Sequence, residues 1–315
     1  MARDELKVGA GAASPASIDD RPGTPPPPGR PFRVARISHV ALELSSPTRM
    51  ERYLRDAYGM QLLRVGYLRG EYVRIVGSPF DQRENPGFLH LYNRPFIPRG
   101  RLRHIAFAGA EAPTEEGVAA LRARGHIVEA DDTLVGPGDL VIKIDSLQNP
   151  RPDPVGDPIT RMVEVEVDTA LPCLVRSVHH VALEVNDPDA VLAWQSRLFG
   201  FDHRRDHDRR GELIAQIYYS DGPLDGIGRR MSLLPCFTRR GVPRTELNHI
   251  AFEVDDCDAA IDHMEARGFK VDAPADAMLH GPEEVWTQID SRARPIPVGH
   301  PANDPGVTLV PYHNR

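Results

Sequence analysis

The sequence predicts an α+β fold: four βαβββ modules, paired into two cup-shaped mixed β-sheet domains with the helices outside. Three observations lead there. A short apolar strand headed by histidine is written four times, as "SHVALEL" from Ser38, "RHIAFAG" from Arg103, "HHVALEV" from His179 and "NHIAFEV" from Asn248. A polar turn, a helical stretch and a glycine follow each copy. Two Pro/Gly/Arg-rich linkers, "RPFIPRGR" and "CFTRRGVPR", resemble each other, so the larger repeat is a pair of units.

Each element has its own signal. The strand heads alternate and are rich in β-branched residues, the period of a half-buried strand. Their histidines, His39, His104, His180 and His249, lie about 65 to 76 residues apart. In the first unit "SPTRMERYLRDAYGM" carries Pro47 near its start; in the third, "DPDAVLAWQSRLFGF" offers Asp187 as N-cap and Pro188 at the first helical position. Gly59, Gly125, Gly200 and Gly268 stand where a left-handed C-cap closes a helix. "EYVRIVG" and "GFLHLYN" read as further strands of unit one, "ELIAQIYYS" and "RMSLLPC" as those of unit three. A unit with one helix and one curved sheet cannot cover both sheet faces alone, whereas two side by side close a cup. The division follows: 1–32 a disordered Pro/Ala/Gly-rich arm, 33–168 the first pair, 175–315 the second, with the break in "DTALPCLVRS".

Composition narrows the function. Of 315 residues, 41% are hydrophobic and 26% charged, and the formal charge of -7 gives no pull towards nucleic acid or an anionic membrane. Clusters such as Arg204-Arg205 and Arg209-Arg210 are interleaved with aspartates and read as solvated faces. No apolar run reaches the roughly 18–20 residues that cross a bilayer, and the arm lacks the hydrophobic stretch of a secretory signal. Cys173, Cys236 and Cys257 are odd in number and lack CxxC spacing, which argues against a disulfide framework and a zinc knuckle and for a reducing cytoplasm. There is no GxSxG elbow, no P-loop and no GxGxxG after a strand. Met60, Trp194 and Phe199 read as core.

With four "HVALEV" and "HIAFEV" heads on a βαβββ plan, the chain resembles the vicinal oxygen chelate superfamily over about residues 33–313. That superfamily holds glyoxalase I, antibiotic-resistance proteins, small epimerases and type I extradiol dioxygenases; the four-unit length is most similar to the last. The resemblance implies one divalent metal held by two strand-head histidines and a glutamate from the last strand of a pair's second unit. Two imidazoles and a carboxylate on one face leave the opposite face of an octahedral ion open for a diol and dioxygen.

Carried onto this chain, the resemblance nominates His39, His104, His180 and His249 as metal ligands. It also nominates Glu164 or Glu166 in "RMVEVEVD", with Glu164 preferred for its distance from Asp157-Pro158. The matching stretch of unit four, "GVTLVPYHNR", has Val310 or Pro311 at the glutamate's place and His313 opposite Glu166. His280 in "LHGP" stands where the family keeps an acid-base histidine, and unit two has Val135 there. His90 in "GFLHLYN" is a candidate fourth cup-lining group, and as a ligand it favours the isomerase branch. By strict alternation His179 points away from His180. The ion expected is Fe(II), with Mn, Zn, Ni or Co as alternatives. The first expectation for function is extradiol-type ring cleavage of a catechol-like diol by dioxygen. The second is a metal-dependent epimerase or isomerase working through an enediolate; the third is a metal-free small-molecule binding protein. Neither nucleic acid nor membrane is an expected partner; a sheet edge left open between pairs would suit a homo-oligomer.

Overall fold

The computed structural model describes residues 34–290, with breaks at 80–87, 110–118, 147–159, 169–171, 208–212, 221–229 and 272–276 and at a few further positions. The arm, the "GVTLVPYHNR" stretch and most of the unit-two helix lie outside the described residues.

The first sheet holds β1 (Val34–Leu44), β2 (Gln61–Leu68), β3 (Glu71–Gly77), β4 (Leu89–Asn93), β5 (Arg101–Gly109), β6 (Ile127–Ala130), β7 (Thr133–Val135), β8 (Val141–Ser146) and β9 (Arg161–Glu164). Their spatial order is β6-β7-β8-β5-β1-β4-β3-β2-β9. The second sheet holds β10 (Val175–Val185), β11 (Asp202–His207), β12 (Leu213–Ser220), β13 (Arg230–Ser232), β14 (Cys236–Thr238), β15 (Glu246–Val254), β16 (Met278–His280) and β17 (Trp286–Asp290). Its order is β11-β12-β14-β10-β15-β17-β16, with β13 on β12. Three helices are described: α1 (Pro47–Tyr58), α2 (Pro188–Phe199) and α3 (Cys257–Ala266).

The two sheets share one plan. The strand heads pair antiparallel at the centre, β1 with β5 and β10 with β15, and a parallel strand flanks each: β4 and β8, β14 and β17. One expectation is corrected here. The strand beside β5, in the place β4 takes beside β1, is β8 and not "RMVEVEVD"; that stretch forms β9, which pairs with β2 at the far margin.

Strand alternation sorts the side chains. Ile105, Phe107, Ile250 and Phe252 fall on the face opposite the histidines, all buried. The helices cover this face. In α1 the buried Pro47, Met50, Leu54, Ala57 and Tyr58 recur at helical spacing. Gly59 closes α1 at φ 73°, and a Cβ there would lie 2.0 Å from the Pro172 carbonyl oxygen, so glycine is required twice over. In α2, Ala190 donates its N–H to the Asp187 carboxylate at 3.0 Å, the expected cap.

The helix sides of the two sheets are pressed together into one core. Tyr58 of α1 meets Phe252 of β15 edge-on at 5.1 Å, and Phe199 of α2 meets Phe107 of β5 at 5.2 Å. Tyr53 and Tyr58 both reach the Thr287 hydroxyl on β17, at 2.7 and 2.5 Å. The Gly-Pro turns of units two and four repeat the symmetry: a Cβ at Gly136 would strike Trp194, one at Gly281 would strike Tyr53. The carboxylate of Glu283 accepts the N–H groups of Ser45 and Ser46 at 2.7 Å each, tying unit four to the start of α1.

Candidate metal centres in two cups

The pairing of strand heads explains the His-x-Ala spelling. Across β1 and β5, His39 faces Ala106 and Ala41 faces His104; across β10 and β15, His180 faces Ala251 and Ala182 faces His249. All four alanines are fully buried. An alanine opposite each histidine leaves room for two imidazoles to meet over the floor of the cup.

They do meet. His39 Nε2 lies 3.1 Å from His104 Nε2, and His180 Nε2 lies 3.0 Å from His249 Nε2. At that separation the two nitrogens share either one proton or one cation. Burial pushes His90, His104 and His180 well below the usual imidazole range, with neighbouring positive or titratable groups adding to it. These rings are neutral at physiological pH, the form that ligates a metal.

In cup one the rest of the floor follows from register. Ala41 also pairs with His90 on β4, and Ala106 with Lys143 on β8. His90 therefore stands beside His104 across an alanine, and Lys143 stands in the same way beside His39. The His90 ring stacks on His39, centroids 3.8 Å apart and planes 14° from parallel. Its Nε2 is buried and has no hydrogen-bond partner among the described residues. The structure does not bring Glu164 to this group: β4, β3 and β2 separate β9 from β1, and the Glu164 side chain is 83% exposed, 3.5 Å from Arg64. Glu166 is exposed as well.

In cup two, Ala251 pairs with Gln288 on β17, the counterpart of Lys143. Gln288 is buried, and its Oε1 has no hydrogen-bond partner among the described residues. Both histidines are held from behind. His249 Nδ1 lies 2.8 Å from Asn248 Oδ1, whose amide donates to Glu184 at 3.0 Å. That bond fixes Nδ1–H and leaves the Nε2 lone pair facing the cup. His180 Nδ1 lies 2.8 Å from His179 Nδ1, and Asp290 lies 3.6 Å from His179. His179, His180 and Asp290 thus form a compact donor group behind the His180 ring. This corrects the expectation for His179: register shifts on either side of it break strict alternation, so neighbouring histidines come to one place.

His280 is exposed on the edge strand β16, its ring 4.6 Å from Trp286. Register sets His280, Trp286 and His249 in one row across β16, β17 and β15. Val310, Pro311 and His313 lie outside the described residues. Gln288 and Lys143 were missed in the sequence because an amide or a lysine in a strand carries no ligand signal; only the register singles them out.

The residues fit a metal ion in both cups. Each offers two converging Nε2 atoms and one further buried donor with no hydrogen-bond partner among the described residues, Nε2 of His90 in cup one and Oε1 of Gln288 in cup two. Residues 179–281 match the family model described as Glyoxalase/Bleomycin resistance protein/Dioxygenase superfamily. Over that stretch the chain is similar to this superfamily, and the solved structures that follow are similar to the whole chain in fold. Among solved structures it is similar to BphC, a halotolerant catechol dioxygenase (13% identity, 82% of this chain and 87% of that one, TM-score 0.55). It is also similar to a variant of 4-hydroxymandelate synthase from Streptomyces coelicolor (12%, 83% and 94%, 0.60). A third is the Mn(II)-bound glyoxalase from Novosphingobium aromaticivorans (14%, 82% and 83%, 0.53). No curated protein matches the sequence. Among the described residues no helix is long and apolar enough to cross a membrane.

Proposed function

We propose that this protein is a metal-dependent enzyme acting on a small molecule with two vicinal oxygens, and that its reaction is extradiol-type ring cleavage of a catechol-like diol, worked in cup two. The observation that carries this reading is the 3.0 Å approach of His180 and His249 through Nε2 atoms whose rings are braced from behind. His180, His249 and Oε1 of Gln288 are the donors for an Fe(II) ion. When bound, the ion supplies chelation of both diol oxygens, a lowered hydroxyl pKa and an open position for dioxygen. The chain's own residues do the rest. Asn248 and His179 hold the two rings in their ligating orientation. The amide of Gln288 adds no charge to the ligand set, so the site favours a deprotonated diol. His280, at the open end of the His249–Trp286 row, passes the diol proton to solvent. The similarity to a catechol dioxygenase over most of both chains supports this reading.

A second reading belongs to cup one, where His90 adds a third imidazole: an isomerase or epimerase that stabilises an enediolate. Oxygen uptake by iron-loaded protein with a panel of catechols separates the two. The proposal expects uptake in the wild type, at least 100-fold lower in His249→Ala and little changed in His90→Ala. No uptake with any diol overturns ring cleavage.

A further inference from the structure

The two cups differ behind their first histidine. In cup one the residue before His39 is Ser38, whose hydroxyl lies 3.5 Å from His39 Nδ1. In cup two that residue is His179, and Asp290 lies beside it. We propose that His179, His180 and Asp290 form a cation site of their own, taken by an ion of the zinc class, and that an ion held there keeps one out of cup two by turning the His180 lone pair away from the floor.

Three observations carry this. The first is spacing. One ligand atom from each of the three residues lies within 4.8 Å of the others, with His179 Nδ1 2.8 Å from His180 Nδ1 and 3.6 Å from the Asp290 carboxylate. Donors held at about 2.0–2.2 Å around a tetrahedral ion stand roughly 3.3 Å apart, a spacing these two distances bracket. The second is charge. Register sets Glu253 beside Asp290, its carboxylate taking the Ser177 hydroxyl, whereas among the described residues the cup floor adds only the amide of Gln288 to its imidazoles. A divalent ion therefore gains more behind His180 than at the floor. The Asp290 side chain is 38% exposed, so an ion reaches the group from solvent. The third is the placing of protons. The Asn248 amide donates to Glu184, so its Oδ1 accepts from His249 Nδ1, and Nε2 of His249 is an acceptor. The proton between the floor nitrogens, 3.0 Å apart, then belongs to His180 Nε2, and the His180 lone pair sits on Nδ1, taking the His179 Nδ1–H. An ion replaces that proton, which His179 takes back on its Nε2. A neutral imidazole has one lone pair to give, so His180 serves the back or the floor and never both. The site stands without the reading of cup two; the exclusion rests on it.

The test uses the full chain, metal-free and isotope-labelled at its histidine ring nitrogens, titrated with zinc and followed by NMR. The shifts are expected to put zinc on Nδ1 of His179 and His180, with the His180 proton on Nε2, in wild type and in His249→Ala alike. Asp290→Asn is expected to weaken zinc at these two nitrogens about tenfold, and Asp290→Glu to restore part of it; the wild-type shifts stand if either variant fails to fold. In iron-loaded wild type, zinc is expected to weaken the iron of cup two about tenfold, and in Asp290→Asn far less. Zinc on Nε2 of His180, no zinc shift at His179 and His180, or zinc bound as tightly by Asp290→Asn as by wild type overturns the site. Iron displaced equally in wild type and Asp290→Asn, or left in place while zinc occupies the Nδ1 pair, overturns the exclusion. Zinc on the Nδ1 pair with no iron held in cup two upholds the site and sinks the metal assignment of that cup.

Discussion

At the scale of single residues, the alanine two places after each strand-head histidine matters as much as the histidine. Ala251 is fully buried between His180 on one side and Gln288 on the other. Valine there adds two methyl groups to a filled floor, which costs about 1–3 kcal/mol by overpacking. It also wedges the imidazoles apart. Ala251→Val is therefore expected to lower the melting temperature and to abolish metal binding in cup two, whereas Ser177→Ala, on the same strand pair but away from the imidazoles, keeps it. Metal affinity by titration beside a thermal melt checks this. The histidines and their alanines were legible in the sequence because the spelling repeats. The floor partners were not: "RMVEVEVD" alternates as well as "VIKIDS", and which of them lies beside β5 is decided by chain pairing that local pattern does not encode. His179 escaped for a related reason, since alternation holds only where the ladder is regular.

At the scale of elements, each central strand pair delivers its imidazoles to a buried floor. Burial lowers the pKa of His90, His104 and His180. The unfolded chain takes up protons at these rings near pH 6.5, while the folded chain refuses them. Stability is thus complete above about pH 6.5 and falls as pH drops below it, by up to about 1.4 kcal/mol per pH unit for each ring. Denaturant melts of metal-free protein between pH 7.5 and 5 check the sign, and His90→Gln is expected to flatten the slope. The helices were legible from their caps: Asp187 and Gly59 act as expected. Their second packing surface was not, because a helix pressed between two sheets reads locally like any amphipathic one.

At the scale of the whole molecule, the two cups are held back to back, and the contact is specific as well as apolar. Thr287 is 1% exposed and serves two buried tyrosine hydroxyls from the other pair. Burial raises Tyr58 well above its usual pKa and Tyr53 to about 12, so both remain donors at any physiological pH. Thr287→Val strands the Tyr58 hydroxyl and is expected to cost about 1–3 kcal/mol. Combining it with Tyr58→Phe recovers part of that loss, a coupling that a double-mutant cycle in denaturant measures.

The most direct test of the central claim, that His180, His249 and Gln288 form one metal site, is the Fe(II) dissociation constant of wild type, His180→Ala and Gln288→Glu. A carboxylate at Gln288 adds a full negative charge to the ligand set. Gln288→Glu is expected to tighten Fe(II) on the order of tenfold, a gain of about 1.4 kcal/mol, and His180→Ala to lose that ion. An Fe(II) affinity unmoved by either substitution would contradict the claim.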